Sequence, residues 1–181
     1  MQFSKTDLDG VWLVEASPVG DERGSFARTF CVDAMERHAL ENRFVQHSLS
    51  RTVTKHTLRG LHFQTEPHRE VKLVSCLKGA IWDVAVDLRP QSRNYGRWTA
   101  AELSADNMRQ LYIPEGFAHG YLTLTDDTLV GYLISTRYEP TAASGVRYDD
   151  PVFAIDWPAE PAVVSEKDRN WPLLEEAALQ A

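Results

Sequence analysis

An antiparallel β-sandwich or barrel with helical decoration is the fold class this chain predicts, and two observations predict it. Short stretches of alternating apolar and polar residues recur along its 181 residues, with turn-forming residues between them at hairpin spacing. No repeat, low-complexity segment or linker divides the chain, so a single unit spanning 1–181 is expected.

The expected strands run in order. They are VWLVEA (11–16), SFARTFC (25–31), FVQHSLS (44–50), LRGLHFQ (58–64) and VKLVSCL (71–77), each with apolar residues at every second position over part of its length. AIWDVAVDL (80–88), RWTAAEL (97–103), QLYIP (110–114), AHGYLTL (118–124) and LVGYLIS (129–135) follow. VGDERG, LKGA, RPQSRNYG, PEGF and TDD supply the breaks. Two helical pieces interrupt the pattern. DAMERHALE (33–41) starts at Asp33 with Glu36 at a capping-box position. From about 165 the chain reads SEKDRNWPLLEEAALQ, with Ser165 as cap, Asp168 three residues on, and an amphipathic stretch from Leu173.

Composition bounds the partners. The net charge of −7 leaves no basic surplus to neutralise the phosphates of a nucleic acid, although a local basic patch could hold one small anion. The opening MQFSKTDLDG has no apolar core of a signal peptide, and no run approaches transmembrane length. No membrane partner and a cytoplasmic location are therefore expected. Cys31 and Cys76, the two cysteines, read as reduced and buried.

Strand alternation then picks out polar groups on inward positions. In 58–64 one face carries Leu58, Gly60, His62 and Gln64, and the other Arg59, Leu61 and Phe63. Lys72 shares a face with Val74 and Cys76, His119 with Tyr121 and Thr123, and Tyr132 with Val130 and Ile134. One ionisable or phenolic group per strand among small or apolar neighbours is the make-up of a lined pocket. Each group also has a plainer role: a buried His or Tyr that hydrogen-bonds a carbonyl, a snorkelling Lys72, an Asp168 that only completes a cap, an Arg23 that is a loop charge, and Asp83 and Asp87 as edge-strand charges. Strict alternation also points Arg59 and His62 to opposite faces, and a bulge at Gly60 would reconcile them.

PEGFAH (114–119) has the P-x-G-x-x-H form of the second metal motif of cupin barrels, and His62, His68 and Glu70 lie where the first would supply ligands. The first motif wants H-x-H, and here Gln64 occupies the second position, a poor transition-metal ligand; Thr123 stands where Asn usually follows the second motif. Three His and a Glu would suffice chemically, so metal is demoted rather than excluded.

The ordered blocks DERGSFARTF, FVQHSLS, TLRGLHFQ, VKLVSCLKGAIWDVAVDLR, YGRW, LYIPEGFAHGY, GVRYDDP, IDWP and SEKDRNWP resemble the dTDP-4-dehydrorhamnose 3,5-epimerase family of nucleotide-sugar epimerases. The resemblance implies a cupin-type antiparallel jelly-roll β-barrel with short peripheral helices, no metal and no cofactor. It implies catalytic roles for His62 as base, Asp168 as its orienting partner, Tyr132 as acid and Lys72 as stabiliser of the enolate. It places Arg23, Phe26, Arg28, Gln46, Arg59, His119 and Tyr138 in the substrate-binding set. It further implies a homodimer in which the N-terminal strands are exchanged with a partner subunit. Arg28 stands where many members have glutamate, and QHSLS replaces an N-H-S run, so the accepted base is left open, as is the choice of C3, C5 or both.

These residue types suit the implied chemistry. A 4-keto group acidifies the protons on C3 and C5, and an imidazole can remove one near neutral pH. Asp168 would set its tautomer, Lys72 would meet the charge on the enolate oxygen, and Arg59 and Arg23 would hold a diphosphate. A metal-dependent cupin oxygenase or isomerase, and a non-catalytic sugar-nucleotide-binding cupin, are the alternatives.

Overall fold

The computed structural model describes residues 1–175, and all the alternating segments fall within it. Fourteen strands form, in chain order β1 (Gln2–Lys5), β2 (Trp12–Glu15), β3 (Val19–Asp21), β4 (Gly24–Phe26), β5 (Gln46–Thr52), β6 (Thr57–Gln64), β7 (Lys72–Lys78), β8 (Ala80–Asp87), β9 (Trp98–Ser104), β10 (Arg109–Ile113), β11 (Phe117–Thr123), β12 (Thr128–Ile134), β13 (Ala143–Gly145) and β14 (Val163–Val164). Among the described residues, two short helices are α1 (Val32–Arg37) and α2 (Glu166–Arg169).

One sheet has the order β1-β2-β10-β7-β12-β5 and the other β13-β6-β11-β8-β9, while β3 and β4 form a separate hairpin. Pairing is antiparallel throughout except where β14 runs parallel to β6. The inner faces meet in a core of Val74, Cys76, Leu111, Ile113 and Val130 from the first sheet against Ile81, Ala85, Leu103, Phe117 and Tyr121 from the second. This is the jelly-roll architecture that the sequence predicts.

Each sheet is also covered on its outer face. Met35 of α1 packs with Val14, Val71, Leu73 and Tyr112 on the first. The irregular chain after β13 lays Val146, Phe153 and Leu174 over Leu61, Val84, Val86 and Ala118 on the second. Burial on both sides explains why β8 reads as the near-continuous run AIWDVAVD rather than a clean alternation. Each fully buried Leu, Ile or Val there contributes about 1.5–3 kcal/mol.

Several expectations change. Residues 27–31 do not continue a strand: only Gly24–Phe26 pairs, in the exposed hairpin, and the chain then turns into α1. The cap of α1 is Cys31, without a side-chain bond, and Asp33 sits inside the first turn. There its carboxylate faces the positive end of the helix. Cys76 is buried, but Cys31 is only half-buried; both are free thiols. Asp83 and Asp87 are not edge charges, because β8 lies between β11 and β9 and both carboxylates are fully buried. Asp87 accepts from Arg89 Nε at 2.9 Å and Ser92 Oγ at 2.6 Å, which ties down the loop leaving β8. Ser165 does cap α2, its Oγ accepting from the Asp168 N–H at 3.0 Å. The helix stops at Arg169, and 176–181 of the expected C-terminal helix lie outside the described residues.

Candidate active site

Along the inner faces, apolar side chains give way to polar ones towards one end of the sandwich: Cys76 and Val74 to Lys72 on β7, and Val130 to Tyr132 on β12. The space left between the sheets is a cavity of about 590 Å³. His62, Lys72, His119, Tyr132 and Asp168 all line it, together with Gln46, Arg59 and Tyr138.

Arg59 and His62 face this cavity together because β6 is bulged. His119 of β11 pairs with His62, but Tyr121, two residues on, pairs with Arg59, three residues back. The extra residue of β6 falls at Gly60–Leu61 and resets the alternation, the irregularity expected there. Gly60 has φ +133°, and a Cβ on it would lie 2.5 Å from Gly120 Cα. The missing side chain therefore makes room for the β11 backbone. The volume a side chain would take is occupied by backbone and is not free for a ligand.

Asp168 serves both of its alternative roles at once. Its backbone N–H closes the α2 cap, while Oδ1 lies 2.6 Å from His62 Nε2 and Oδ2 accepts from the Gly60 N–H at 3.3 Å. Burial acts to raise the Asp168 pKa, but the His62 hydrogen bond and charge, with the bonds from Gly60 and Ser165, outweigh it and hold the carboxyl below the usual range. An ionised Asp168 takes a proton donor on Nε2, which leaves Nδ1 as the basic nitrogen. The Trp171 ring stands edge-on to the imidazole with centroids 6.3 Å apart. That ring fills the space over Gly145, where a Cβ would meet it at 2.5 Å.

Lys72 is buried, 2.9 Å from Glu70 Oε1, and its Nζ donates to the His62 carbonyl at 3.3 Å. Gln64 fixes Glu70 in turn: its Nε2 donates to Glu70 Oε2 at 2.8 Å and its Oε1 accepts from the Glu139 N–H at 2.7 Å. Gln64 is thus a brace between two loops and the strand that carries His62.

Across the cavity, the buried His119 has Nε2 2.8 Å from Asp83 Oδ1. Burial drives the Asp83 pKa up against the pull of His119 and Lys72. The rings of Tyr132 and Tyr121 flank His119 at 6.1 and 6.3 Å. Burial first, then Tyr121 and the Asp83 charge, push the Tyr132 phenol well above its ordinary pKa, so the hydroxyl keeps its proton.

The mouth is more basic than the chain as a whole. Among the described residues, the Arg59 side chain bonds only Thr52 Oγ1 and the Arg51 carbonyl, and the Lys167 ammonium rests over the Trp171 ring at 5.1 Å. Neither is neutralised by a carboxylate, which suits a bound diphosphate. Gln46 Oε1 accepts from the Tyr138 N–H and so ties β5 to the rim.

Arg23, Phe26 and Arg28 are not brought to this cavity. Arg23 pairs with Asp21 in the β3–β4 hairpin and Phe26 is 78% exposed. Arg28 borders a separate surface cleft with Phe26 and Cys31. Sequence inspection missed Asp83, Tyr121, Ser50, Lys167 and Trp171 as site residues. The signal for Tyr121 was its shared face with His119; the others depend on which strands become neighbours.

The donors of a cupin-type metal site are each drawn to a different partner: His62 to Asp168, His119 to Asp83 and Glu70 to Lys72, while His68 borders another cleft. Among the described residues, no three His, Cys, Asp or Glu side chains converge at ligand spacing.

A family profile described as dTDP-4-dehydrorhamnose 3,5-epimerase matches residues 5–176. The dTDP-4-dehydrorhamnose 3,5-epimerase of Methanothermobacter thermautotrophicus is 48% identical over 178 residues, covering 97% of this chain and 95% of that protein. Among solved structures, the dTDP-4-dehydrorhamnose 3,5-epimerase of Elizabethkingia anophelis superposes with TM-score 0.93 at 38% identity, covering 97% of each chain. The dTDP-6-deoxy-D-glucose 3,5-epimerase of Legionella pneumophila, solved with dTDP-4-keto-L-rhamnose, gives TM-score 0.91 at 39% identity, covering 96% of this chain and 93% of its own.

Proposed function

This chain belongs to the dTDP-4-dehydrorhamnose 3,5-epimerase family, and from that premise we propose that it is an isomerase inverting C3, C5 or both of a dTDP-linked 4-keto-6-deoxyhexose. The observation that carries the assignment is the placement of base and acid. His62 with Asp168 stands on the wall made by β6, and Tyr132 on the facing wall made by β12.

His62 Nδ1 takes the proton from the carbon next to the ketone, and the electron pair passes into the enolate. Lys72 and His119 stabilise the charge that develops on the ketone oxygen. Tyr132 then gives its proton to the opposite face of the same carbon. His62 returns its proton to solvent and solvent restores Tyr132, so configuration inverts with no redox change. Arg59 and Lys167 hold the diphosphate and help align the reacting carbon.

Incubation with dTDP-4-keto-6-deoxyglucose in D2O, followed by NMR, is expected to show deuterium at C3, C5 or both of an inverted product. Ligand binding without any deuterium wash-in would make the chain a binding protein instead. Stoichiometric metal, with activity abolished by chelation, would make it a metal enzyme. A CDP-linked analogue run in parallel tests the base.

The assembly we infer is a homodimer in which the β3–β4 hairpin reaches the partner's cavity. The exposed Phe26, with Arg23 and Arg28 outside their own cavity, supports it. Each protomer then works as one unit spanning the chain. Sedimentation equilibrium is expected to return twice the 20.5 kDa chain mass, and a monomer at micromolar concentration would refute it. Among the described residues, no helix is long and apolar enough to cross a membrane. With two free thiols and a nucleotide-linked substrate this fits a cytoplasmic location, which cell fractionation checks.

A further inference from the structure

Tyr121 is fully buried on β11, yet its hydroxyl reaches the cavity. It donates to Ser50 Oγ at 3.1 Å, and the register of β5 against β12 (Ser50 opposite Val130, Ser48 opposite Tyr132) sets Ser50 and Tyr132 diagonally adjacent on the face it reaches. The Tyr121 hydroxyl thus reaches from one sheet to the pair formed by Ser50 and Tyr132 on the other, and all three residues line the cavity. A phenylalanine would fill the same core volume, so packing does not require the oxygen.

The proposed reaction does. When Tyr132 protonates the enolate carbon, a phenolate is left in a buried site beside the Asp83 carboxylate, which opposes it. Arg59 acts the other way, but a donor aimed at the phenolate oxygen gives the direct compensation. We propose that Tyr121 is a positioning residue for the inverting proton transfer: its hydroxyl holds that of Tyr132 in place, and turns from Ser50 to donate to the Tyr132 oxygen as the proton leaves. No bond to Tyr121 breaks; the C–H bond formed on the sugar takes its proton from Tyr132, and solvent replaces it.

This rests on the epimerase reading and separates two fates of the enolate. Return of a solvent-exchanged proton by His62 gives deuterated substrate of unchanged configuration. Delivery by Tyr132 gives inverted product. In Tyr121→Phe, the ratio of exchange to inversion, read by NMR in D2O, is expected to rise about tenfold, as loss of one hydrogen bond to a developing charge predicts. The ratio is unaffected by any fraction of unfolded protein. Adding Tyr121→Phe to Tyr132→Phe is expected to change neither rate further. An unchanged ratio in Tyr121→Phe, or a full tenfold loss added on top of Tyr132→Phe, overturns the role. If the wild-type enzyme neither exchanges nor inverts, the epimerase reading fails and this inference fails with it; if the wild type inverts and only the ratio stays put, this inference alone fails.

Discussion

His62→Ala is expected to slow deuterium wash-in at the sugar by at least about 100-fold, the scale of a lost general base. Wash-in at the wild-type rate would remove His62 from the base role. The same variant carries a pH signature. Asp168 is ionised and its carboxyl is held below the usual carboxylate range, with His62 the main force opposing its burial. A folded-state pKa depressed in this way contributes stability that is present above the unfolded pKa and lost as pH falls through the folded one. Without the imidazole, the folded pKa of Asp168 rises. Thermal denaturation followed from pH 7 downward is therefore expected to show a shallower acid loss of stability in His62→Ala, from a lower starting value, than in wild type. Coincident acid limbs would mean that Asp168 draws nothing from His62.

Gly60→Ala is expected to cost at least about 3 kcal/mol of stability and to abolish inversion. The strand has no conformation that accepts the extra carbon without yielding. A φ of +133° is foreign to alanine, and the new Cβ would press on the Gly120 and His119 backbone at 2.5 and 2.9 Å. Relief requires β6 and β11 to separate where His62 and His119 face each other, which disturbs both imidazoles. Urea denaturation reads the first effect and the D2O assay the second. A wild-type urea midpoint for Gly60→Ala would show that the bulge tolerates a side chain.

Much of the site was legible in the chain because a strand advertises its inward face by alternation. Lys72, His119 and Tyr132 each stand among residues that could only be core, and that contrast survives without coordinates. The bulge in β6 was legible as a conflict, since Arg59 and His62 could share a pocket only if alternation failed at Gly60. Pairing between distant segments was not legible. Asp83 becomes the partner of His119 because β8 lies beside β11, and nothing in AIWDVAVDL separates a buried carboxylate from an edge charge. The cover over the second sheet escaped notice for a related reason. Residues 146–174 bury Val146, Phe153 and Leu174 at irregular spacing, with no period to betray them. In Cys31 and Asp33, the local capping preference lost to the path the chain takes out of the hairpin.

The tie between His62 and Asp168 spans 106 positions of sequence. On the ribosome, β6 emerges long before α2, so its imidazole is made without its carboxylate partner. The short parallel strand β14, laid against β6, then draws Ser165 and Asp168 to the pocket. The His62–Asp168 pair is thereby completed only after β14. A nascent or prematurely terminated chain ending before Ser165 lacks Asp168, and with it Lys167 and Trp171 of the pocket lining. The His62–Asp168 tie is coupled to synthesis of the chain through α2.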